Sequence, residues 1–146
     1  MESLIQLHEV SVEWRRFDNF FALWKSHRSA TQLIYVIGET HRCYIGSIGS
    51  RKGELDLGAR YQWQSVICAR AILGLEEDHG QVAYAGILKK SSGSFQSIDI
   101  VAIEADVQNS FVLACGFENA LFDPKDLAEG YSLTHSGELP SFLLRD

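Results

Sequence analysis

Two short runs of β-branched and aromatic residues, Leu33–Ile37 and Cys43–Ser47, lie on either side of a polar, flexible segment. This pattern is typical of two antiparallel strands joined by a tight turn. With residues 39 and 40 at the tip, Tyr35 would lie directly opposite Tyr44. Opposed residues of an antiparallel pair share a face of the sheet, so the hairpin is predicted to present both phenols on one side.

Hydrophobic residues recur with helical spacing in three further stretches. Aromatic residues at positions 17, 20, 21 and 24 predict a helix near the N-terminus, beginning at about Val12. A second helix is predicted for Leu55–Leu75, where apolar residues line two sides and leave a narrow polar strip. A third is predicted for Val107–Phe122, and its apolar stripe carries one carboxylate, Glu118. The pattern therefore predicts a small sheet flanked by helices.

Two shorter segments complete the predicted core. Val82–Lys90 fits either a strand or a short helix. Ile98–Ile103 is apolar on both faces apart from Asp99, which predicts a strand in the centre of the sheet. Asp99 is then either a buried, paired carboxylate or a sign that one face of the sheet opens onto a cleft.

Glu118 is the most informative residue of the third predicted helix. A carboxylate on a buried stripe is costly unless it is paired or binds a cation, so the residues alone leave an ion pair and a metal ion equally open. The five histidines show no metal-ligand spacing, and the sequence has no nucleophile elbow or dinucleotide fingerprint.

Length and composition indicate one domain with a sizeable core, since 46% of the 146 residues are hydrophobic. No apolar run approaches membrane-spanning length and the N-terminus does not resemble a signal peptide, so no membrane association is expected. The cysteines at positions 43, 68 and 115 fit neither a disulfide framework nor a zinc site. Reduced thiols in the cytoplasm are therefore expected.

The formal charge of −6 is unevenly distributed. Residues 1–52 contain seven Lys and Arg against five Asp and Glu, whereas residues 91–146 contain two against nine. The acidity is thus concentrated in the C-terminal third, and a surface facing a polyanion is still possible on the N-terminal half.

The hairpin and the segments after it together resemble the GIY-YIG nuclease domain. The second motif, Tyr44-Ile45-Gly46, is complete, and a small-residue loop then leads to Arg60 near the start of a helix. The first motif is Leu33-Ile34-Tyr35, where Gly-Ile-Tyr or Gly-Val-Tyr is usual. The predicted third helix, with Glu118 three residues before Leu121-Phe122, is similar to the family's last helix. The resemblance covers roughly residues 32–122.

The resemblance implies an α/β (α+β) fold with a central, mainly antiparallel three-stranded sheet flanked by helices. It favours a helix for Val82–Lys90. Residues 1–31 would be an N-terminal helical addition, residues 32–122 the family core, and residues 123–146 a tail packed on that core, all within a single domain.

The function implied by the resemblance is a metal-dependent DNA endonuclease that uses Mg²⁺ or Mn²⁺. Arg60 would bind the phosphate, and Glu118 would be the metal ligand. Tyr35 would be the general base, and Tyr44 would orient water or donate to the phosphate. A phenol titrates near pH 10, so a base of this type needs the cation and the guanidinium close by.

Secondary candidates accompany this set. Glu104, at the end of the predicted strand, is a weaker candidate for the metal ligand. Arg51 and Lys52 in the small-residue loop and Gln64 on the second predicted helix would contact the substrate.

Other features favour a catalytically inactive module of the same fold that binds nucleic acid or protein. The first Gly of the first motif is absent, and Gln64 stands where some members of the family have a His. The sequence has no Asn after Asn119, and its net charge is negative. In a plain protein-interaction domain, the two tyrosines would be a cross-strand packing pair, Arg60 a solvated helix residue and Glu118 merely ion-paired.

Overall fold

The structure is a computed structural model that describes residues 8–39, 41–50, 56–60, 82–90, 93–126 and 130–144. Its strands and helices follow the alternation and spacing of the buried side chains. The described residues form strands β1 (His8–Phe17), β2 (Leu33–Glu39), β3 (Arg42–Ile48), β4 (Val82–Lys90) and β5 (Tyr131–Gly137), helices α1 (Phe20–Ser26), α2 (Leu57–Arg60) and α3 (Ser97–Cys115), and 3₁₀ turns at Phe117–Asn119 and Ser141–Leu143.

The strands form one sheet in the order β3–β2–β4–β1–β5. The first four are antiparallel to their neighbours, and β5 runs parallel to β1. The predicted combination of helices with a mainly antiparallel sheet is therefore confirmed, whereas the predicted number of three strands is wrong. Two strands come from segments outside the predicted core, one near each end of the described chain.

Strand β1 replaces most of the helix predicted from Val12. Val10, Val12 and Trp14 are buried while the residues between them are not, which is the period-two alternation of a strand with one covered face. The helix is confined to Phe20–Ser26, where the Asn19 side chain accepts a hydrogen bond from the Ala22 N–H at 2.8 Å and begins the helix. The segment 8–17 thus belongs to the sheet and is not part of a helical addition.

Segment Val82–Lys90 is a strand, so the preference for a helix was wrong. It lies between β2 and β1, and Ala85 pairs with Tyr35 on one side and with Arg15 on the other. Ala83 and Ala85 are fully buried, and their small side chains leave room for the aromatic residues packed on the same face of the sheet. Pairing on both edges therefore overrides the local helix propensity of alanine.

Helix α3 contains both the predicted strand Ile98–Ile103 and most of the helix predicted for Val107–Phe122, so the strand prediction was wrong. Its buried stripe is Ile100, Ile103, Val107 and Phe111, which is helical spacing. The helix begins with a capping box: the Gln96 side chain accepts from the Asp99 N–H, and the Asp99 side chain accepts from the Gln96 N–H.

Hydrophobic clusters cover both faces of the sheet. On one face, α1 and Leu57 of α2 pack over the β2–β3–β4 end of the sheet. On the other face, α3 and the turn at Ser141–Leu143 pack over β1, β2 and β3, with the Phe142 ring 5.4 Å from that of Phe111. The tail segment after residue 123 thus contributes a strand and a buried ring to the core. No helix among the described residues is long and apolar enough to cross a membrane.

Asp99 is a buried, paired carboxylate, the first of the two alternatives. It accepts from the Tyr131 hydroxyl at 2.7 Å and from the Gln96 N–H at 2.8 Å, and it forms an ion pair with Lys90 at 3.0 Å. Burial alone would raise the pKa of Asp99, but these bonds and the Lys90 charge outweigh it and lower the pKa. The carboxylate therefore fixes the start of α3 against β4 and β5.

This network predicts a pH-dependent stability. Because the pKa of Asp99 is lower in the folded chain than its ordinary 3.8, the unfolded chain binds more protons between the two values. The stabilisation is fully present above about pH 4 and is lost as the pH falls through the folded pKa. Asp99→Asn should lower the free energy of unfolding at pH 7 by about 1–3 kcal/mol. In urea titrations between neutral and strongly acidic pH, its difference from the wild type should shrink towards acid pH.

The matched control is Asp126→Asn, because that carboxylate is exposed. It should leave the unfolding free energy close to that of the wild type at each pH. A difference between Asp99→Asn and the wild type that stays constant into strongly acidic solution would contradict the assignment.

Candidate functional site

A polar cleft of about 250 Å³ opens at the outer edge of β3, where helix α2, helix α3 and the segment after the Phe117–Asn119 turn meet. It is lined by residues of all four regions: Tyr44, Ile45, Gly46, Ser47, Ser50, Arg60, Glu104, Gln108, Phe122, Asp123 and Lys125. Two residues of the sequence-predicted site, Tyr44 and Arg60, thus lie in one cleft.

The cleft contains a buried carboxylate, Glu104, which is only 4% exposed. One oxygen accepts a hydrogen bond from the Ser47 hydroxyl at 2.7 Å, and the other lies 3.0 Å from the ammonium of Lys125. A buried carboxylate is stabilised only when its oxygens are satisfied in this way. Glu104 thereby joins α3 to the strand that carries Tyr44.

Gln108 lies one turn after Glu104 on the same face of α3. It is 1% exposed, and its amide N–H donates to the Ile45 carbonyl at 3.4 Å. Its carbonyl oxygen is buried and has no hydrogen-bond partner among the residues that the structure describes. Buried polar groups are nearly always satisfied, so this oxygen is an acceptor in the cleft wall that a bound group can use.

Tyr35 and Tyr44 share one face of the sheet, as predicted, and their ring centroids are 6.2 Å apart. They are not directly opposed, however: Tyr35 pairs with Gly46 and Tyr44 pairs with Ile37. The predicted register was wrong by two positions along β3. A shift of two preserves the face on which each side chain lies, because side chains alternate with a period of two.

The Tyr35 phenol lies across Gly46. A methyl group at position 46 would approach the Tyr35 hydroxyl oxygen to 2.5 Å, so only glycine fits opposite this ring. Tyr35 is fully buried, and its ring also contacts Phe20 at 5.6 Å between centroids. Tyr44 therefore lines the cleft directly, whereas Tyr35 lies beneath the cleft wall at Gly46.

Helix α2 places Arg60 at the cleft. Asp56 begins the helix by accepting from the Ala59 N–H at 2.9 Å, and Leu57 is fully buried against the core. Arg60 is exposed and lines the cleft from the side of α2. The rest of the predicted helix Leu55–Leu75 lies outside the described residues, as do the predicted substrate contacts Arg51, Lys52 and Gln64.

Glu118 is not on a buried helical stripe. Helix α3 ends at Cys115, and Gly116 has φ = +94°, a backbone conformation that favours glycine and does not continue the helix. Glu118 is exposed in the following 3₁₀ turn and is not among the residues that line the cleft. The expectation of a buried Glu118 was therefore wrong.

The carboxylate that the cleft contains is Glu104, the weaker of the two sequence candidates. Sequence reasoning missed Ser47, Gln108 and Lys125 as partners of the site. The spacing of Glu104 and Gln108, four residues apart, becomes a signal only when 97–115 is recognised as one helix. The sequence pattern instead predicts a strand that ends next to Glu104 and a separate helix that contains Gln108, so the two residues are not expected on one face of a helix.

The cleft contains two side-chain oxygen donors of the kind that a hard divalent cation binds. The described residues contain no group of three or more His, Cys, Asp or Glu side chains that could hold a metal. Magnesium, however, is often bound by one or two carboxylates together with water and substrate phosphates. The Glu104 carboxylate and the orphaned Gln108 oxygen are oxygen donors of this kind.

Comparison of the chain with protein-family models, with curated proteins and with solved structures gives no match.

The contact between Tyr35 and Gly46 makes a testable prediction. Gly46→Ala should lower the free energy of unfolding by about 1–3 kcal/mol, because the new methyl group overpacks a buried ring. In a Tyr35→Leu background the same substitution should cost at least about 1 kcal/mol less, since contacting residues are coupled. Urea unfolding of the wild type, the two single variants and the double variant measures this coupling. Additive effects would contradict the contact.

Proposed function

We propose that this protein is a divalent-metal-dependent nuclease of the GIY-YIG type, which hydrolyses phosphodiester bonds of DNA in the cleft at the edge of β3. The cytoplasm is the proposed location, where thiols such as those of Cys43 and Cys115 stay reduced. The observation that carries the proposal is the convergence of Tyr44, Arg60 and the buried Glu104 carboxylate on one small polar cleft.

The order of elements supports the resemblance on which this proposal depends. The strands β3, β2 and β4 are antiparallel neighbours in that order, and helices lie on both faces of the sheet. The Tyr44-Ile45-Gly46 motif lies on β3, and Gly46 makes room for the tyrosine of the first motif. In this proposal Glu104 takes the role that the sequence suggested for Glu118.

Each side chain of the cleft has a role that suits its chemistry. The planar guanidinium of Arg60 binds the scissile phosphate through paired hydrogen bonds, and the Lys125 ammonium adds a second positive charge. The Tyr44 hydroxyl orients the attacking water or donates to a phosphate oxygen. Tyr35 is a positioning residue, because it is fully buried beneath Gly46 and holds β3 in place.

Glu104 and Gln108 would hold Mg²⁺ or Mn²⁺. The bound cation would supply positive charge where negative charge develops on the phosphate during hydrolysis. Lys125 now neutralises Glu104, and its side chain is 42% exposed. It therefore has room to move from the carboxylate to a phosphate oxygen when the substrate is bound.

A catalytically inactive module that binds nucleic acid is the second candidate. The specific observation in its favour is the ion pair between Lys125 and Glu104 at 3.0 Å, which satisfies the carboxylate without a metal. In that case the cleft would bind a phosphate through Arg60 and Lys125 and would not cleave it.

The test is cleavage of supercoiled, branched and single-stranded DNA in Mg²⁺ or Mn²⁺. The wild type should cleave at least one of these substrates, and EDTA should abolish the activity. Glu104→Gln should reduce the rate by at least about 100-fold, a loss typical of removing a group that stabilises transition-state charge. Calorimetric titration with Mn²⁺ should show weaker binding to this variant, which is a readout independent of activity.

The matched control is Glu118→Gln, which removes the same charge from an exposed turn and should leave the rate within about twofold, as for a surface substitution. Loss of activity in Glu118→Gln but not in Glu104→Gln would overturn the assignment of the carboxylate. Wild-type protein that binds DNA without cleaving it in either metal would favour the inactive module.

A further inference from the structure

A second polar surface lies at the C-terminal end of α1 and, like the cleft, is lined in part by α2. It is a groove of about 630 Å³, here called the basic groove, between the segment 25–30 and the start of α2. The groove is lined by polar and small residues: Lys25, Ser26, His27, Arg28, Ser29, Ala30, Asp56 and Gly58. Two backbone hydrogen bonds hold its walls together, since the Leu57 N–H donates to the Ala30 carbonyl and the Gly58 N–H to the Arg28 carbonyl.

The groove has an excess of positive charge. Lys25 and Arg28 are both exposed, and neither forms an ion pair within the part of the chain that the structure describes. The acidic residue of the lining, Asp56, has one oxygen occupied by the α2 backbone. The cations therefore remain available to a negatively charged partner.

The Arg28 guanidinium lies over an aromatic ring. Its guanidinium carbon lies 4.7 Å from the centroid of the Trp24 ring. Stacking on an aromatic face orients the planar guanidinium while its in-plane N–H groups stay available for hydrogen bonds. This is a suitable arrangement for binding a phosphate, which the guanidinium contacts through two parallel hydrogen bonds.

His27 adds a ring that is uncharged near neutral pH. Partial burial, and then the nearby positive charge of Arg15, lower the pKa of His27. The ring packs edge-on against Phe17, with 5.6 Å between centroids. The charge of the groove therefore comes from Lys25 and Arg28, since the nearby Arg15 is ion-paired with Glu13.

The basic groove and the cleft are both lined in part by α2. Gly58 lines the groove and Arg60 lines the cleft, and the two residues are two positions apart in one helix. They are separated by only about 3 Å along the helix axis but by about 200° around it, so the groove and the cleft lie on different sides of α2. Helix α2 is four residues long, so a strand that contacts both surfaces has to cross about one helical turn.

We propose that the basic groove binds the phosphate backbone of the nucleic-acid strand whose scissile phosphate lies in the cleft, with Lys25 and Arg28 as its phosphate contacts. This inference rests on the proposed function, which it extends to the flanking part of the substrate. The groove is concave and Ala30 is its one apolar lining residue among those that the structure describes. A phosphate backbone therefore suits it better than an anionic membrane surface, which is broad and rewards inserted apolar side chains.

The experiment measures binding of short fluorescein-labelled DNA, single-stranded and duplex, by anisotropy in EDTA over a series of KCl concentrations. The variant is K25Q/R28Q, in which glutamine keeps much of each side chain's length. Its affinity at about 0.1 M salt should be at least about tenfold lower, and its salt slope on duplex should fall by about two, one for each phosphate that the variant no longer neutralises. The control R16Q/K89Q removes the same charge outside the groove and should bind like the wild type.

Thermal melting checks that each variant is folded, and if K25Q/R28Q does not fold, the single variant K25Q should still lower the slope by about one. Unchanged affinity and salt slope in a folded groove variant would overturn the proposal even if the wild type cleaves DNA. A lower slope in a protein that cleaves nothing would support the groove and overturn the nuclease function alone. Binding to vesicles containing phosphatidylserine but not to DNA would overturn the proposal in favour of a membrane surface.

Discussion

The buried carboxylate of Glu104 is the interaction on which the candidate site depends. It links α3 to β3 by accepting a hydrogen bond from the Ser47 hydroxyl, and it forms an ion pair with Lys125 of the C-terminal segment at the edge of the sheet. The carboxylate is only 4% exposed and depends on these partners, whereas the Lys125 side chain is 42% exposed and solvent weakens its share of the ion pair. The same carboxylate therefore contributes to the packing of three segments and lines the cleft.

The two tyrosines of the motifs have different surroundings. Tyr44 faces the cleft, whereas Tyr35 lies under Gly46 and contacts Phe20 of α1. Tyr44 is thus a partly buried residue of the cleft lining, and Tyr35 links the hairpin to the helix on its face of the sheet. Gly46, the glycine of the second motif, is therefore needed at this position for a steric reason that does not depend on any ligand.

The sequence was sufficient for features that arise from local patterns. The hairpin and the shared face of the two tyrosines reflect alternation, and alternation survives a two-residue error in register. Strand β1 does not follow from the local pattern, because the aromatic residues from Phe17 onwards have helical spacing and favour a helix that begins at about Val12. Local spacing also could not reveal that β4 would be paired on both edges, which decided between strand and helix.

The placement of the site depended on where one helix begins and ends. The apolar run Ile98–Ile103 is too short to separate a buried strand from a buried helix by pattern alone. The apolar pattern after it predicts a helix that continues to Phe122 and places Glu118 on its stripe, but the helix ends at Cys115. The contacts between Glu104, Ser47 and Lys125 join residues far apart in the sequence, and no local pattern contains them.

The position of β1 in the sheet has a consequence for how the chain folds. It pairs with β4 and β5, which are distant from it in the sequence: Trp14 of β1 and His135 of β5, which share a hydrogen bond of 3.0 Å, are 121 residues apart. Bringing such distant segments together costs chain entropy before native contacts can compensate for it, and this slows folding. During synthesis on the ribosome, both edges of β1 would therefore stay unpaired until β4 and β5 have emerged.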